Sequence, residues 1–135
     1  MLMLDHVLIG ALAGGMIQNS PTAFGFSTFI HLFLDKIPHY FPDKRWKEAL
    51  TISIDLTLCT AALSLFWYGP FSKSVFWGGL GGIWLDLLLV GIPPIFHSKL
   101  GQWHVHRQPH HADERYIWLD VAVIATTTAI IYILH

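Results

Sequence analysis

Charge is scarce in this chain. Only 13% of its 135 residues are Asp, Glu, Lys or Arg, against about 25% in an average soluble domain. A soluble fold of this length needs more charge on its surface, whereas 53% hydrophobic residues and a mean hydropathy of +0.50 suit a lipid-exposed one. The formal net charge of −1 offers no positive field, so no nucleic-acid partner is expected. Cysteine is nearly absent as well. Cys59 stands alone in an apolar run, which excludes a disulfide framework and a cysteine-based zinc site. The basic n-region of a signal peptide is also missing. Asp5 stands in its place, so the N-terminal segment is expected to be retained.

What the chain does have is apolar runs. Five stretches follow one another: Leu2 to Ile17, Pro21 to Ile37, Glu48 to Tyr68, Ser74 to Ile92 and Arg115 to Leu134. Ser20 offers an N-cap and Pro21 a first helical residue for the second stretch, and Pro93-Pro94 ends the fourth. A helix spans a bilayer with about 20 residues, about 17 at the short limit. The last three stretches qualify, and the first two are short. The expected fold is all-α: one transmembrane domain over residues 1–135, an integral membrane bundle of three long spanning helices plus an N-terminal hairpin of two short hydrophobic helices. A soluble helical bundle is the bland alternative. Gly10 and Gly14, then Gly78, Gly79, Gly81 and Gly82, sit at spacings that let helix backbones approach closely. No strand precedes them, so a phosphate loop is not read here.

The basic residues orient the bundle. The connection from 36 to 48 holds Lys36, Lys44, Arg45 and Lys47, and that from 93 to 115 holds Lys99, Arg107 and Arg115, against Lys73 alone between 69 and 73. The two basic connections are expected on one face, the cytoplasmic one, with His135 outside. Trp67, Tyr68 and Trp77 then mark the outer interface, and Trp46, Trp103, Tyr116 and Trp118 the inner one.

Most of the nine histidines fall on that inner side: His6, His31, His39, His97, His104, His106, His110 and His111. Asp55 and Asp86 lie about 10 Å and about 9 Å inside their helices at 1.5 Å per residue. Ionisable groups at such depth are functional by default. The sharpest motif is His31-Leu-Phe-Leu-Asp35-Lys-Ile-Pro-His39. His31 and Asp35, four apart, share a helix face, and His39 follows four residues on. Imidazole, carboxylate and imidazole along one line suit a divalent metal. A core histidine bonded to a backbone carbonyl is the competing reading for His31. A carboxylate at a helix C-terminus is disfavoured by the dipole, which weakens the bland reading of Asp35. For Asp55 a structural carboxyl and a functional one are equally good readings. For Asp86 the following His97, His104 and His106 favour function. His97 and His104 are the better ligands of their connection. His110 and His111 are expected to meet solvent or headgroups.

His6 ahead of a glycine-rich helix, followed by HLFLDKIPHY, resembles bacterial inner-membrane proteins described as membrane-bound metal-dependent hydrolases, the LexA-binding, inner membrane-associated type and its shorter relatives. His6, His31 and Asp35 match the recurring His and His-x-x-x-Asp marks of that group, and His39 matches the Pro-His of the short relatives. Asp86 and the histidines after it resemble a degenerate form of its later motifs. The longer members' His-Arg-Gly-x-Thr-His-Ser stretch is absent, and the resemblance covers about a third of the chain. It implies an inner (plasma) membrane location and hydrolytic chemistry.

The resulting expectation is a membrane-embedded hydrolase with a divalent metal, zinc first and manganese or magnesium if carboxylates dominate. His6, His31, Asp35, His39, Asp86, His97 and His104 are the candidate ligands. Asp86 and Asp55 are the candidate catalytic carboxylates. A site at headgroup level points to a lipid or lipid-linked phosphoester as substrate and the lipid bilayer as partner. The alternatives are a non-catalytic metal-binding or transporting bundle, and a diiron lipid oxidase suggested by the His-x-x-x-His-His run from His106 to His111.

Overall fold

A computed structural model of the chain describes residues 3–40, 42, 45–92, 94, 98, 99, 102, 103, 110, 111 and 115–134. Five long helices carry it: α1 (Met3–Ile17), α2 (Ser20–Leu34), α3 (Arg45–Tyr68), α4 (Lys73–Gly91) and α5 (Arg115–Leu134). Two two-residue extended segments, β1 (His39–Tyr40) and β2 (His110–His111), pair in parallel, His39 with His110 and Tyr40 with His111. That backbone pairing holds the described parts of the two basic connections at one end of the bundle.

The α1–α2 hairpin is as short as its sequence suggests, 15 residues each. At 1.5 Å per residue each helix is about 22 Å long. The turn differs from expectation by one residue. Asn19, not Ser20, is the N-cap of α2, its side chain accepting the Thr22 amide at 3.0 Å, so Pro21 falls at the second helical position. Gln18 closes α1 in the left-handed region (φ 55°), its amide donating back to the Gly14 carbonyl.

α1 is the centre of the molecule. It is apolar nearly all round and packs against α4, α2, α5 and α3. Leu4, Val7, Leu8 and Ala11 of α1 meet Cys59, Phe66, Val75, Ile83 and Ile131 in the core. The α1–α4 contact is backbone on backbone. A methyl on Gly10 would collide with the Gly78 carbonyl, and one on Gly82 with the His6 carbonyl. Small residues at this spacing permit the approach. Gly82→Ala should therefore push α1 from α4 and destabilise the fold by about 1–3 kcal/mol or more, read as a lowered thermal midpoint in detergent. Gly25, which faces open space, is the control and should tolerate alanine.

Among the described residues two helices, not three, are long and apolar enough to cross a membrane: Ala49–Tyr68 within α3, and Arg115–Leu134, which is α5. α4 lies outside that pair, and its four central glycines fit it against α1 and α2. α3 and α5 are peripheral. α3 buries a narrow stripe, Asp55, Cys59 and Phe66, and α5 buries Asp120, Thr127 and Ile131. Their remaining surfaces leave Leu50, Ile54, Leu58, Leu65, Ile130 and Ile133 exposed.

Candidate metal centre

Three helices bring four side chains together. His6 comes from the first turn of α1, His31 from the last turn of α2, and Asp35 from its C-cap. Asp86 comes from the last third of α4. The i, i+4 spacing lays His31 and Asp35 on one face, with His31 Nε2 3.3 Å from Asp35 Oδ2. The glycine-lined approach of α4 brings Asp86 Oδ1 to 3.7 Å from the same nitrogen. His6 lies between the carboxylates, Nε2 3.7 Å from Asp35 and Nδ1 3.4 Å from Asp86. The two imidazole rings are 4.4 Å apart. His31 and His6 are 0% and 2% exposed, Asp35 3% and Asp86 14%. One ligand atom from each of His6, His31 and Asp35 can be chosen so that all lie within 4.8 Å of one another. This buried trio can hold a metal ion.

Three observations test that fit. First, neither ring nitrogen of His6 has a hydrogen-bond partner among the described residues. A buried imidazole left so is costly. Second, His31 Nδ1 bonds the Gly82 carbonyl. A carbonyl only accepts, so Nδ1 carries the proton and the lone pair of a neutral ring lies on Nε2, facing Asp35 and Asp86. A carbonyl behind a histidine is the arrangement that orients metal-ligating imidazoles. Third, the donor set is two carboxyl groups and two imidazoles, oxygen and nitrogen donors that suit a divalent cation.

The other candidates fall elsewhere. Asp55 does not join the four. Its two oxygens accept the Met3 and Leu4 amides at 2.7 and 3.0 Å, so it caps α1 from α3. Its structural reading is the one seen, with backbone amides as partners, while Ser53 and Thr57 of the same helix donate to carbonyls one turn back. His39 is placed by its backbone in β1, and its side chain lies outside the described residues, as do His97 and His104. His110 is held through its backbone opposite His39. The backbone carbonyl that the competing reading offered His31 is present, and it is that of Gly82, which no side-chain pattern identifies. Sequence reasoning passed over Asp5 and Asp120 as site residues, although both are buried, in the first turn of α1 and the second turn of α5. The rule that deep carboxylates are functional would have singled them out. No family model, curated protein or solved structure matches this chain.

Proposed function

We propose that this chain is a membrane-embedded, metal-dependent hydrolase whose divalent ion is held by His6, His31 and Asp35, with Asp86 beside them. The carrying observation is the His6 ring, 2% exposed, its nitrogens without hydrogen bonds among the described residues and turned to two carboxylates. When bound, the ion supplies Lewis acidity to a phosphoester and its attacking water. The chain's own residues do the rest. Gly82 fixes the His31 tautomer, Asp35 supplies the anionic ligand, and Asp86, the most open of the four, is the proton acceptor at the reacting face.

The membrane reading is supported by where the apolar surface lies. The two long apolar helices are mostly exposed along their length, which is the reverse of a soluble core helix. Trp46 and Trp67, both exposed, are about 32 Å apart along α3 at 1.5 Å per residue, near the roughly 30 Å of a hydrocarbon core. Lys73 Nζ donates to the Trp67 carbonyl at 2.6 Å and lies 4.0 Å from the ring centroid, so it caps the end of α3. The remaining seven basic residues belong to the connections joined by β1 and β2 and are taken to be cytoplasmic. Labelling of cysteines introduced at positions 42 and 103 in intact cells should place both on that face, and opposite faces would overturn this orientation. A substrate with an anionic headgroup, a lipid or lipid-linked phosphoester, follows from a metal site at the basic end of such a bundle. The resemblance of the His31–Asp35 helix to membrane-bound hydrolases supports the same chemistry.

Near-complete enclosure of three of the four groups favours a second reading, a closed metal staple without catalysis. Elemental analysis of detergent-purified protein decides whether there is metal, with one divalent ion per chain expected. Phosphate release from phospholipids or polyprenyl phosphates by the loaded protein then separates the two. Stoichiometric metal without hydrolysis under any divalent ion selects the staple, and absence of metal ends both readings.

A further inference from the structure

Asp55 lies 5% exposed on α3, a helix that supplies none of the four clustered side chains. We propose that it is a positioning residue for the His/Asp site, fixing the axial register of α1 and so the height of His6. What the site binds rests on the function proposed above. The first amides of any α-helix have no partner within it, and Asp55 takes two of them, from Met3 and Leu4. A carboxylate at the positive end of a helix dipole makes short, charge-assisted bonds. His6 follows within the same turn.

Apolar side chains pack α1 into the core, and its glycine contacts with α4 leave polar groups such as Asp55 to add direction along the axis. Gly10 against Gly78, and the His6 backbone against Gly82, give close approach but no side chain that interlocks along the axis. Ser27 adds one hydroxyl bond to the Gly10 carbonyl, at 3.2 Å. A slip of one residue moves a helical side chain by about 1.5 Å along the axis and about 100° around it. That would carry His6 away from Asp35 and Asp86, which it now meets at 3.7 and 3.4 Å. His31 is held differently, by the Gly82 carbonyl, and does not depend on α3.

The experiment uses the full chain in detergent, cobalt(II) as the probe, and ring-nitrogen NMR of the histidines in metal-free protein. Asp55→Ala should weaken cobalt binding about ten- to a hundredfold, the usual scale for losing a group that orients a ligand. It should displace the His6 ring signals and leave those of His31 in place. Asp55→Asn, which keeps one acceptor oxygen, should fall between, and it carries the same measurements if Asp55→Ala does not fold. Unchanged affinity and His6 signals overturn the proposal, and so does equal displacement of both histidines, the mark of a general structural role. Complete loss of cobalt in Asp55→Asn with the metal-free His6 signals unmoved makes Asp55 a ligand and overturns it too. If the wild-type chain takes up no cobalt, the metal reading fails, and the His6 signals alone decide the role of Asp55.

Discussion

Detergent-purified protein carrying His31→Ala should retain less than a tenth of the wild-type metal, and Asp35→Ala should match it. The reason is geometric. His31 Nε2 is the atom that faces both Asp35 and Asp86, at 3.3 and 3.7 Å, and the proton on Nδ1 is already committed to Gly82. Removing a group that merely orients a ligand costs about 10–100-fold in affinity, so removing a ligand should cost more. His31→Ala also leaves Asp35 and Asp86 close to one another with less to separate them. Asp35→Ala removes a carboxylate that the α2 dipole disfavours at that end. Without metal, then, Asp35→Ala should be as stable as the wild type or more so, and His31→Ala less stable. Opposite shifts in the thermal midpoint after chelation, alongside equal metal loss, distinguish a lost ligand from lost packing. His110→Ala is the comparison, since His110 is placed by backbone pairing with His39. Normal metal in both His31→Ala and Asp35→Ala would remove the site.

The helices and one face of the site were legible because they depend on local spacing. His31 and Asp35 share a face by the i, i+4 rule, and the depths of His31 and Asp86 along their helices already let them meet. The glycines read as packing devices and are so used. What was not legible depends on helix rotation and on backbone atoms. Asp55 faces α1 across 51 residues of sequence, and nothing in its own helix shows that its partners are amides rather than hydroxyls. The Gly82 carbonyl is an acceptor any residue would carry, and it becomes particular because only glycine lets α1 come so near. The expected three spanning helices become two among the described residues, α3 and α5, while α4 spends its glycines on close contact with α1 and α2. The N-cap moved from Ser20 to Asn19 because both side chains can cap, and boundaries at this scale shift by a residue or two.

Asp86→Asn should separate binding from chemistry. Asp86 differs from its three neighbours in being 14% exposed where they are 3% or less, so it stands where a substrate and water could reach the cluster. It also faces both histidines, His6 Nδ1 at 3.4 Å and His31 Nε2 at 3.7 Å. If His6 uses Nε2 toward the ion beside Asp35, then Nδ1 carries the proton and faces the Asp86 carboxylate at 3.4 Å. That is a carboxylate behind a ligating histidine. Asparagine keeps the shape and one oxygen acceptor but loses the charge and the capacity to take a proton. Metal content should therefore stay near one per chain, with affinity weakened by about 10–100-fold at most. Turnover of a phospholipid or polyprenyl phosphate should fall by about 10²–10⁴-fold, the usual contribution of a general base. The loss should appear in kcat rather than KM if Asp86 acts on the transition state alone. Hydrolysis that survives Asp86→Asn at the wild-type rate removes Asp86 from the chemistry and leaves the ion with His6, His31 and Asp35. Loss of metal and turnover together makes Asp86 a fourth ligand of a closed site, and the staple reading then gains what the hydrolase loses.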